Sequence, residues 1–189
     1  MKLTIIRHGI TEGNARKLFY GAADIPLLPE GEAELRRLSA EHPYPTASYY
    51  YTSPLYRTQQ TLRILYGDVP FTVVDDLQEF NFGDFEMREL KGDLDHDEAF
   101  LAWFSTGMKD TCPGGDNMAD FTVRVADAMA PIIARGEDAV CVIHGAVIAA
   151  LLSVWFPIEE GIFQRAPHPG TGYQVIFENG QPVSYHAIP

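Results

Sequence analysis

Cysteine is scarce in this sequence, and long apolar runs and an excess of basic residues are absent. The 189 residues include two cysteines, Cys112 and Cys141, which excludes a disulfide framework or a cysteine-rich metal knuckle. Cys141 lies inside an apolar run, so we interpret it as a buried, inert thiol. The longest stretch dominated by apolar residues, Ala146 to Phe156, is too short to span a bilayer.

Basic residues are outnumbered, with 14 Lys and Arg against 26 Asp and Glu, and the formal net charge is −12. Such a charge repels nucleic acid and anionic lipid, so we expect neither as a partner. Only a short apolar segment precedes Arg7, which is too short for a signal peptide. We therefore expect a cytoplasmic protein.

The length and composition are those of a single globular domain. Apolar residues make up 46% of the chain and charged residues 21%, which is enough apolar material for one sizeable core. There is no internal repeat, low-complexity tract or flexible linker. The sequence therefore predicts one domain over residues 1–189.

Apolar patterning predicts strands that alternate with helices. Strands are predicted over residues 3–6, 48–52, 71–74, 140–143, 173–177 and 183–187, the last two forming a hairpin through Asn179-Gly180. Helices are predicted after Ser53 as N-cap, over about 117–133 and over 145–155. This order predicts an α/β three-layer sandwich, in which helices flank a mostly parallel central sheet. Residues 84–115 fit no strand pattern and are interpreted as a mainly helical excursion over one edge of that sheet.

Ligands of open parallel sheets bind beyond the carboxyl ends of the strands. The segments that directly follow predicted strands are Arg7-His8-Gly9, Ser53 to Arg57 and His144-Gly145. The two His-Gly pairs are far apart in sequence but are expected at the same edge. From spacing alone, a structural role for these histidines remains an alternative to a catalytic one.

The residue types at this edge suit phosphoryl transfer. A neutral imidazole, such as that of His8, is a competent nucleophile toward phosphorus. The guanidinium groups of Arg7 and Arg57 can each bond two phosphoryl oxygens and remain charged. Arg57 is expected in the first turn of its helix, whose positive end also favours an anion.

These residues belong to motifs that resemble the histidine phosphatase superfamily, the phosphoglycerate-mutase-like group. The matching motifs are Arg7-His8-Gly9 with Thr11 and Asn14, Gly21 to Gly31, Ser53 to Thr61, Leu77 to Glu86, and His144-Gly145. Together they span most of the chain, roughly Met1 to Leu152. Arg-His-Gly alone is a weak signal, but the combination is highly specific.

The resemblance implies roles for the matching residues. His8 would become phosphorylated, Arg7, Arg57 and His144 would hold the phosphoryl oxygens, and Glu79 would exchange protons with the leaving group and water. Asn14, Thr11, Gly21 and Gly145 would contribute to substrate binding. No metal or cofactor is implied, because two guanidiniums and an imidazolium would balance the phosphate. Glu86 competes with Glu79 for the acid role, but we favour its interpretation as a surface or helix-start residue.

The predicted function is hydrolysis of a small phosphomonoester, in an enzyme of the histidine acid phosphatase type. A phosphoglycerate mutase is the first alternative, and it would need further cations near the acid. The basic residues between Glu79 and His144 are scattered: Arg88, Lys91, Lys109, Arg124 and Arg135. A non-catalytic phospho-ligand binding module is the second alternative. Trp103 and Pro113-Gly114-Gly115 are similar to the α-ribazole phosphatase subgroup.

Overall fold

The architecture is given by a computed structural model that describes residues 1–157 and 162–189. Its strands are β1 (Lys2–Arg7), β2 (Leu18–Phe19), β3 (Tyr49–Thr52), β4 (Thr72–Val73), β5 (Arg88–Glu89), β6 (Ala139–Ile143), β7 (Gly172–Glu178) and β8 (Gln181–Ile188). Its α-helices are α1 (Glu12–Arg16), α2 (Pro29–Glu41), α3 (Tyr56–Tyr66), α4 (Glu98–Ser105), α5 (Met118–Ala134) and α6 (Gly145–Trp155). Short 3-10 helices cover Asp75–Leu77, Gly83–Phe85, Leu94–His96 and Ile162–Arg165.

The main sheet has six strands in the part of the chain that the structure describes, in the order β4-β3-β6-β1-β7-β8. The strands from β4 to β1 are parallel, and β7 and β8 are antiparallel to their neighbours. Asn179 and Gly180 join β7 to β8 with φ angles of 50° and 76°. Positive φ at both positions is what a two-residue hairpin turn requires, so the predicted hairpin is confirmed.

Helices cover both faces of this sheet, as the predicted three-layer sandwich requires. Because side chains of a strand alternate between faces, Ile5 and Cys141 belong to the apolar cluster that includes α5 and α6. Ile6 and Val142 point the other way and pack with Leu62 of α3. All five residues of β6 are buried, because β6 lies inside the sheet and is covered on both faces.

The segment over residues 84–115 contains helix α4 and the 3-10 helix Leu94–His96, which accounts for the helical character predicted there. Its aromatic residues form their own packing, since the ring of Phe100 lies 5.2 Å from Phe85 and 6.0 Å from Trp103. The segment also contributes β5, which pairs with β2 in a two-stranded ribbon. The ribbon was not predicted from the sequence, and it forms a wall of the candidate site.

Helix α3 begins later than predicted. It starts at Tyr56, its N-cap is Leu55, and no side chain caps it. The prediction that Ser53 is the N-cap is therefore wrong, because the Ser53 hydroxyl contacts His144 instead. Arg57 nevertheless lies in the first turn of α3, as predicted.

Two further expectations concern burial and helix length. Cys112 and Cys141 are both buried free thiols, which confirms the predicted burial of Cys141, and burial raises the pKa of the Cys141 thiol. Within the described ranges, no helix combines the length and the apolar character needed to cross a membrane.

Candidate active site

The two histidines lie side by side because of strand register. Strands β1 and β6 are parallel neighbours in which Arg7 is paired with Ile143, so the residues that follow, His8 and His144, are also adjacent. The backbone amide of His8 donates to the carbonyl of Ile143 at 3.0 Å. The two imidazole rings are buried with their centroids 5.3 Å apart. The predicted meeting of these histidines at one edge of the sheet is confirmed.

The protonation state of His8 follows from its surroundings. Nδ1 lies 2.7 Å from the carbonyl oxygen of Gly9, and because a carbonyl can only accept, Nδ1 carries the proton. Burial, and then the charges of Arg57 and Arg7, hold the pKa of His8 well below its usual value of 6.5. The ring is therefore neutral near pH 7, with a free lone pair on Nε2. That is the form in which imidazole acts as a nucleophile.

Arg7 lies against the beginning of α6. One of its terminal nitrogens, Nη1, donates to the carbonyl of Pro167 at 2.9 Å, while its buried Nε has no partner in the described residues. A Cβ atom on Gly145 would come within 3.1 Å of the guanidinium carbon. A glycine at the start of α6 therefore gives the guanidinium room to lie against the helix start, whose positive end also favours anions.

Arg57 is fully buried and held from one side by a loop. Its Nη1 and Nη2 donate to the carbonyls of Ala23 and Gly21, each at 2.7 Å. Its Nε has no partner in the part of the chain that the structure describes. The two carbonyls fix the plane of the guanidinium and leave its other N–H groups for an anion.

Glu86 holds the loop that holds Arg57. Its carboxylate accepts hydrogen bonds of 2.9 to 3.3 Å from the backbone amides of Gly21, Ala22, Ala23 and Phe82. The prediction of a surface or helix-start residue is wrong, because these amides lie outside regular secondary structure and need an acceptor. A carboxylate engaged in this way is also poorly placed to deliver a proton to a substrate.

Gly21 takes part in both of these contacts through its backbone. Its amide donates to Glu86 and its carbonyl accepts from Arg57. A Cβ atom at this position would lie 1.7 Å from the carbonyl oxygen of Phe80, so a larger residue would displace the loop. The structure thus gives Gly21 a supporting position beside Arg57.

Glu79 is the carboxyl group that faces the site. It is 9% exposed, and its two oxygens accept hydrogen bonds from the backbone amides of Phe80 at 3.0 Å and Ala146 at 3.1 Å. Burial raises its pKa above 4.5, against the opposite effect of those hydrogen bonds and of the nearby arginines. Glu79 can therefore hold a proton at a pH at which an ordinary carboxyl has lost it.

Asn14 and Thr11 form a capping box at the start of α1. The Asn14 Oδ1 accepts from the Thr11 amide at 3.0 Å and from the Tyr20 hydroxyl at 2.9 Å. Its Nδ2 donates to no described residue, and Asn14 lines the cavity described below. Thr11 is fully buried. The pair thus orients an amide N–H group toward the site, with Thr11 acting as support.

Ser53, predicted only as a helix N-cap, is a site residue in the structure. Its Oγ lies 2.6 Å from Nε2 of His144, and both side chains are fully buried. Burial and the charge of Arg57 hold the pKa of His144 well below 6.5, so the expected imidazolium is not the state of the phosphate-free site. A bound phosphate dianion would raise that pKa again. The available signal was the position of Ser53 directly after β3, at the same edge.

The site opens into a cavity of about 560 Å³. Polar groups that line it include Arg7, Asn14, Tyr20, Glu79 and Glu89, and apolar side chains on its wall are Leu18, Phe19, Phe82 and Leu90. The basic residues Arg16, Lys17 and Lys91 also line it, and Arg16 is ion-paired with Glu89 at 2.8 Å. In the sequence Lys91 is one of several scattered charges, and neither Arg16 nor Lys17 was predicted to reach the site. Ribbon β2–β5 brings them together. The cavity thus combines an end suited to a phosphoryl group with apolar walls and further charged groups, among them Lys17, Lys91 and Glu89.

Arg165 and the four remaining histidines are not among the residues that line this cavity. Arg165 is buried and donates from Nη1 to the carbonyls of Leu152 and Phe156, so it closes the carboxyl end of α6. Four further histidines are exposed: His42, His96, His168 and His186. Among the described residues, no cluster of three or more His, Cys, Asp or Glu side chains is arranged to hold a metal ion.

A three-layer α/β fold with paired histidines and arginines at the carboxyl edge of its sheet is an arrangement suited to binding a phosphoryl group. Residues 3–185 match the histidine phosphatase superfamily (branch 1). The chain therefore belongs to the histidine phosphatase superfamily, and the fold and family expected from the sequence motifs are confirmed.

Named relatives include both phosphatases and mutases. The chain is 30% identical over 177 residues to an adenosylcobalamin/alpha-ribazole phosphatase from Salmonella typhimurium, covering 85% of this chain and 87% of that protein. The alpha-ribazole phosphatase from Shigella flexneri superposes with a TM-score of 0.84 at 25% identity, covering 96% and 93% of the two chains. A phosphoglycerate mutase from Thermus thermophilus superposes with a TM-score of 0.74 at 25% identity, covering 100% of both.

Proposed function

We propose that this enzyme is a metal-independent phosphomonoesterase that acts on a small phosphorylated metabolite through a phosphohistidine at His8. The observation that carries the proposal is the contact between Nδ1 of His8 and the Gly9 carbonyl, together with the lowered pKa of the ring. It leaves a neutral ring with a free Nε2 beside two arginines. A cytoplasmic location remains our expectation from the sequence.

In the first step, Nε2 of His8 attacks phosphorus, and the bond from phosphorus to the ester oxygen breaks. Glu79 gives its proton to the departing alkoxide, which leaves as an alcohol. In the second step, water attacks the phosphohistidine, its proton passes to the Glu79 carboxylate, and the His8–phosphorus bond breaks. The products are inorganic phosphate and the original enzyme.

The charge that develops on the phosphoryl oxygens would be met by Arg7, Arg57, His144 and the amide of Asn14. Phosphoryl transfer depends mainly on such positioning and electrostatic stabilisation. The start of α6 adds its positive end. Arg57 and Arg7 each have a buried Nε without a partner in the described residues, which leaves donors for an anion.

The phosphoglycerate mutase reaction is the alternative, and one observation favours it. Lys17 and Lys91 line the same cavity as Glu79 and could hold a second anionic group on the substrate. We favour hydrolysis, of the acid phosphatase type, because the alpha-ribazole phosphatase from Shigella flexneri superposes with a TM-score of 0.84, against 0.74 for the phosphoglycerate mutase. The relatives named as alpha-ribazole phosphatases suggest an alpha-ribazole phosphate as one candidate substrate, and the wall of Phe19 and Phe82 would suit an apolar part of a substrate.

The decisive experiment is rapid quenching during turnover of a ³²P-labelled phosphomonoester in the presence of EDTA. We expect acid-labile, base-stable label on His8, and none in the His8→Asn variant. Label on Ser, Asp or Cys would end the proposal, as would activity that EDTA abolishes and zinc or magnesium restores. A panel of metabolites, assayed beside phosphoglycerate mutase activity with its bisphosphate cofactor, decides between hydrolysis and isomerisation.

A further inference from the structure

Ser53 meets His144 because β6 lies between β1 and β3. Thr52, the last residue of β3, is paired with Val142 of β6, so Ser53 continues alongside the end of that strand. His144 is thus flanked by His8 on one side and by Ser53 on the other. The Ser53 Oγ and His144 Nε2 are 2.6 Å apart, and both side chains are fully buried. A contact this short between buried polar groups is a hydrogen bond with little competition from water.

The direction of this hydrogen bond depends on the neighbours of Ser53. The hydroxyl of Thr58 donates to the carbonyl of Leu55 at 2.7 Å, so its hydrogen is committed there. Ser53 Oγ accepts from the Leu55 amide at 3.3 Å and lies 3.1 Å from Thr58 Oγ1. The Ser53 hydrogen therefore has two acceptors within reach, Thr58 Oγ1 and His144 Nε2.

The other ring nitrogen of His144 has a different environment. Nδ1 is buried, and no described residue forms a hydrogen bond with it. A buried group without a partner is costly unless a ligand or another group supplies one. The neighbouring ring is His8, 5.3 Å away between centroids, where the phosphoryl group is proposed to bind.

We propose that Ser53 is a positioning residue that controls which nitrogen of His144 carries a proton, an inference that rests on the proposed phosphoryl chemistry at His8. Without phosphate, Ser53 donates to Nε2 and the ring proton stays on Nδ1. When phosphate binds and His144 gains a second proton, Nε2–H donates to Ser53, whose own hydrogen turns to Thr58. In both states Nδ1–H is available to a phosphoryl oxygen.

The experiment is NMR of His144 in protein labelled with ¹⁵N-histidine, with and without inorganic phosphate, alongside steady-state kinetics. His144→Asn assigns the signals. In the wild type we expect a proton on Nδ1 alone without phosphate, and protons on both nitrogens with it. In Ser53→Ala we expect the phosphate-free proton to be shared between the nitrogens, and kcat to fall about tenfold to hundredfold, as for loss of a hydrogen bond to a charged group.

Thr52→Val is the matched control. Thr52 is the neighbouring buried hydroxyl, and its Oγ1 bonds to no described residue, so this isosteric change should leave the His144 signals and kcat unchanged. Ser53→Thr keeps the hydroxyl and should restore the Nδ1 proton and most of kcat. A wild-type proton on Nε2, or identical signals in Ser53→Ala, would overturn the proposal. Failure to trap phosphate on His8 would instead end the proposed function, since the phosphate-free NMR signals require no turnover.

Discussion

Glu79 and Ala146 are joined by a hydrogen bond of 3.1 Å, from the backbone amide of Ala146 to Oε2 of the carboxyl. Ala146 lies in the first turn of α6, two residues after His144, so this bond fixes Glu79 beside the phosphoryl site. The carboxyl of Glu86, by contrast, is held by backbone amides of the loop beside Arg57. Glu79 and Glu86, which belong to the same sequence motif, therefore have different surroundings and different expected roles.

The first prediction concerns the proton donor. Glu79→Gln should lower kcat on an alkyl phosphate by about 10²- to 10⁴-fold, because an alkoxide needs a proton to leave. The loss should be much smaller on p-nitrophenyl phosphate, whose phenolate leaves readily. Steady-state kinetics on both substrates measure the difference. If Glu86→Gln shows this dependence on the leaving group and Glu79→Gln does not, the two roles are assigned backwards.

The second prediction is the pH dependence of the reaction. Burial raises the pKa of Glu79, so its proton is retained above the ordinary range but is lost as the pH rises through the folded value. The pKa of His8 lies well below 6.5, so the nucleophile stays neutral toward acidic pH. We expect kcat/KM on an alkyl phosphate to be highest at acidic pH and to fall as Glu79 deprotonates.

Measurement of the pH profile on both substrates isolates this effect. The fall at higher pH should be weaker on p-nitrophenyl phosphate, and it should disappear in Glu79→Gln, which has no proton to lose. Ionisation of the substrate itself is common to the enzyme and its variant and so cancels in their ratio. An unchanged fall in Glu79→Gln would mean that another group controls it.

Much of this site could be predicted because its parts follow strands with strong apolar patterns. Strand β6 and helix α6 surround His144-Gly145, and the predicted helix over 145–155 has the bounds that the structure gives. The rule that ligands bind at the carboxyl ends of parallel strands then selected His8 and Arg57. Here, local pattern and topology pointed to the same residues.

The missed features depend on partners that are distant in sequence and leave no local pattern. Glu86 binds backbone amides 63 to 65 residues away, and backbone groups have no signature in a sequence. Ser53 contacts a ring 91 residues away, through the register of β3 on β6. Lys17 and Lys91 reach one cavity only because the two-residue strands β2 and β5 pair, and such strands are too short to predict.

The third prediction concerns stability. Burial lowers the pKa of His8 and of His144. As the pH falls, the unfolded chain therefore binds protons at these histidines before the folded protein does. The contribution of these neutral histidines to the free energy of unfolding is therefore fully present above the unfolded pKa of about 6.5. It is lost as the pH falls toward their pKa values in the folded protein. Each histidine should contribute a slope of up to about 1.4 kcal/mol of unfolding free energy per pH unit.

Urea unfolding of the wild type and of His8→Asn between pH 7.5 and pH 5 measures this slope. The variant should lose less stability on acidification, because one of the two buried histidines is gone. Glu79 acts in the opposite direction, since its raised pKa favours the folded state at low pH, but it is present in both proteins. Equal slopes in the two proteins would contradict the assignment of a neutral His8.

The final prediction tests the link from Glu86 to Arg57. Glu86→Gln replaces a carboxylate oxygen by an NH₂ group that cannot accept the loop amides, so the carbonyls of Gly21 and Ala23 should lose their fixed positions. Arg57 would then bind phosphate less well. We expect inhibition by inorganic phosphate to weaken by about tenfold to hundredfold. We expect kcat/KM to fall by the same factor, equally on an alkyl phosphate and on p-nitrophenyl phosphate.

Glu34→Gln, which breaks a surface ion pair with Arg37, is the control and should change neither the phosphate inhibition nor kcat/KM. A leaving-group-dependent loss, or unchanged phosphate inhibition, would show that Glu86 does not act through Arg57.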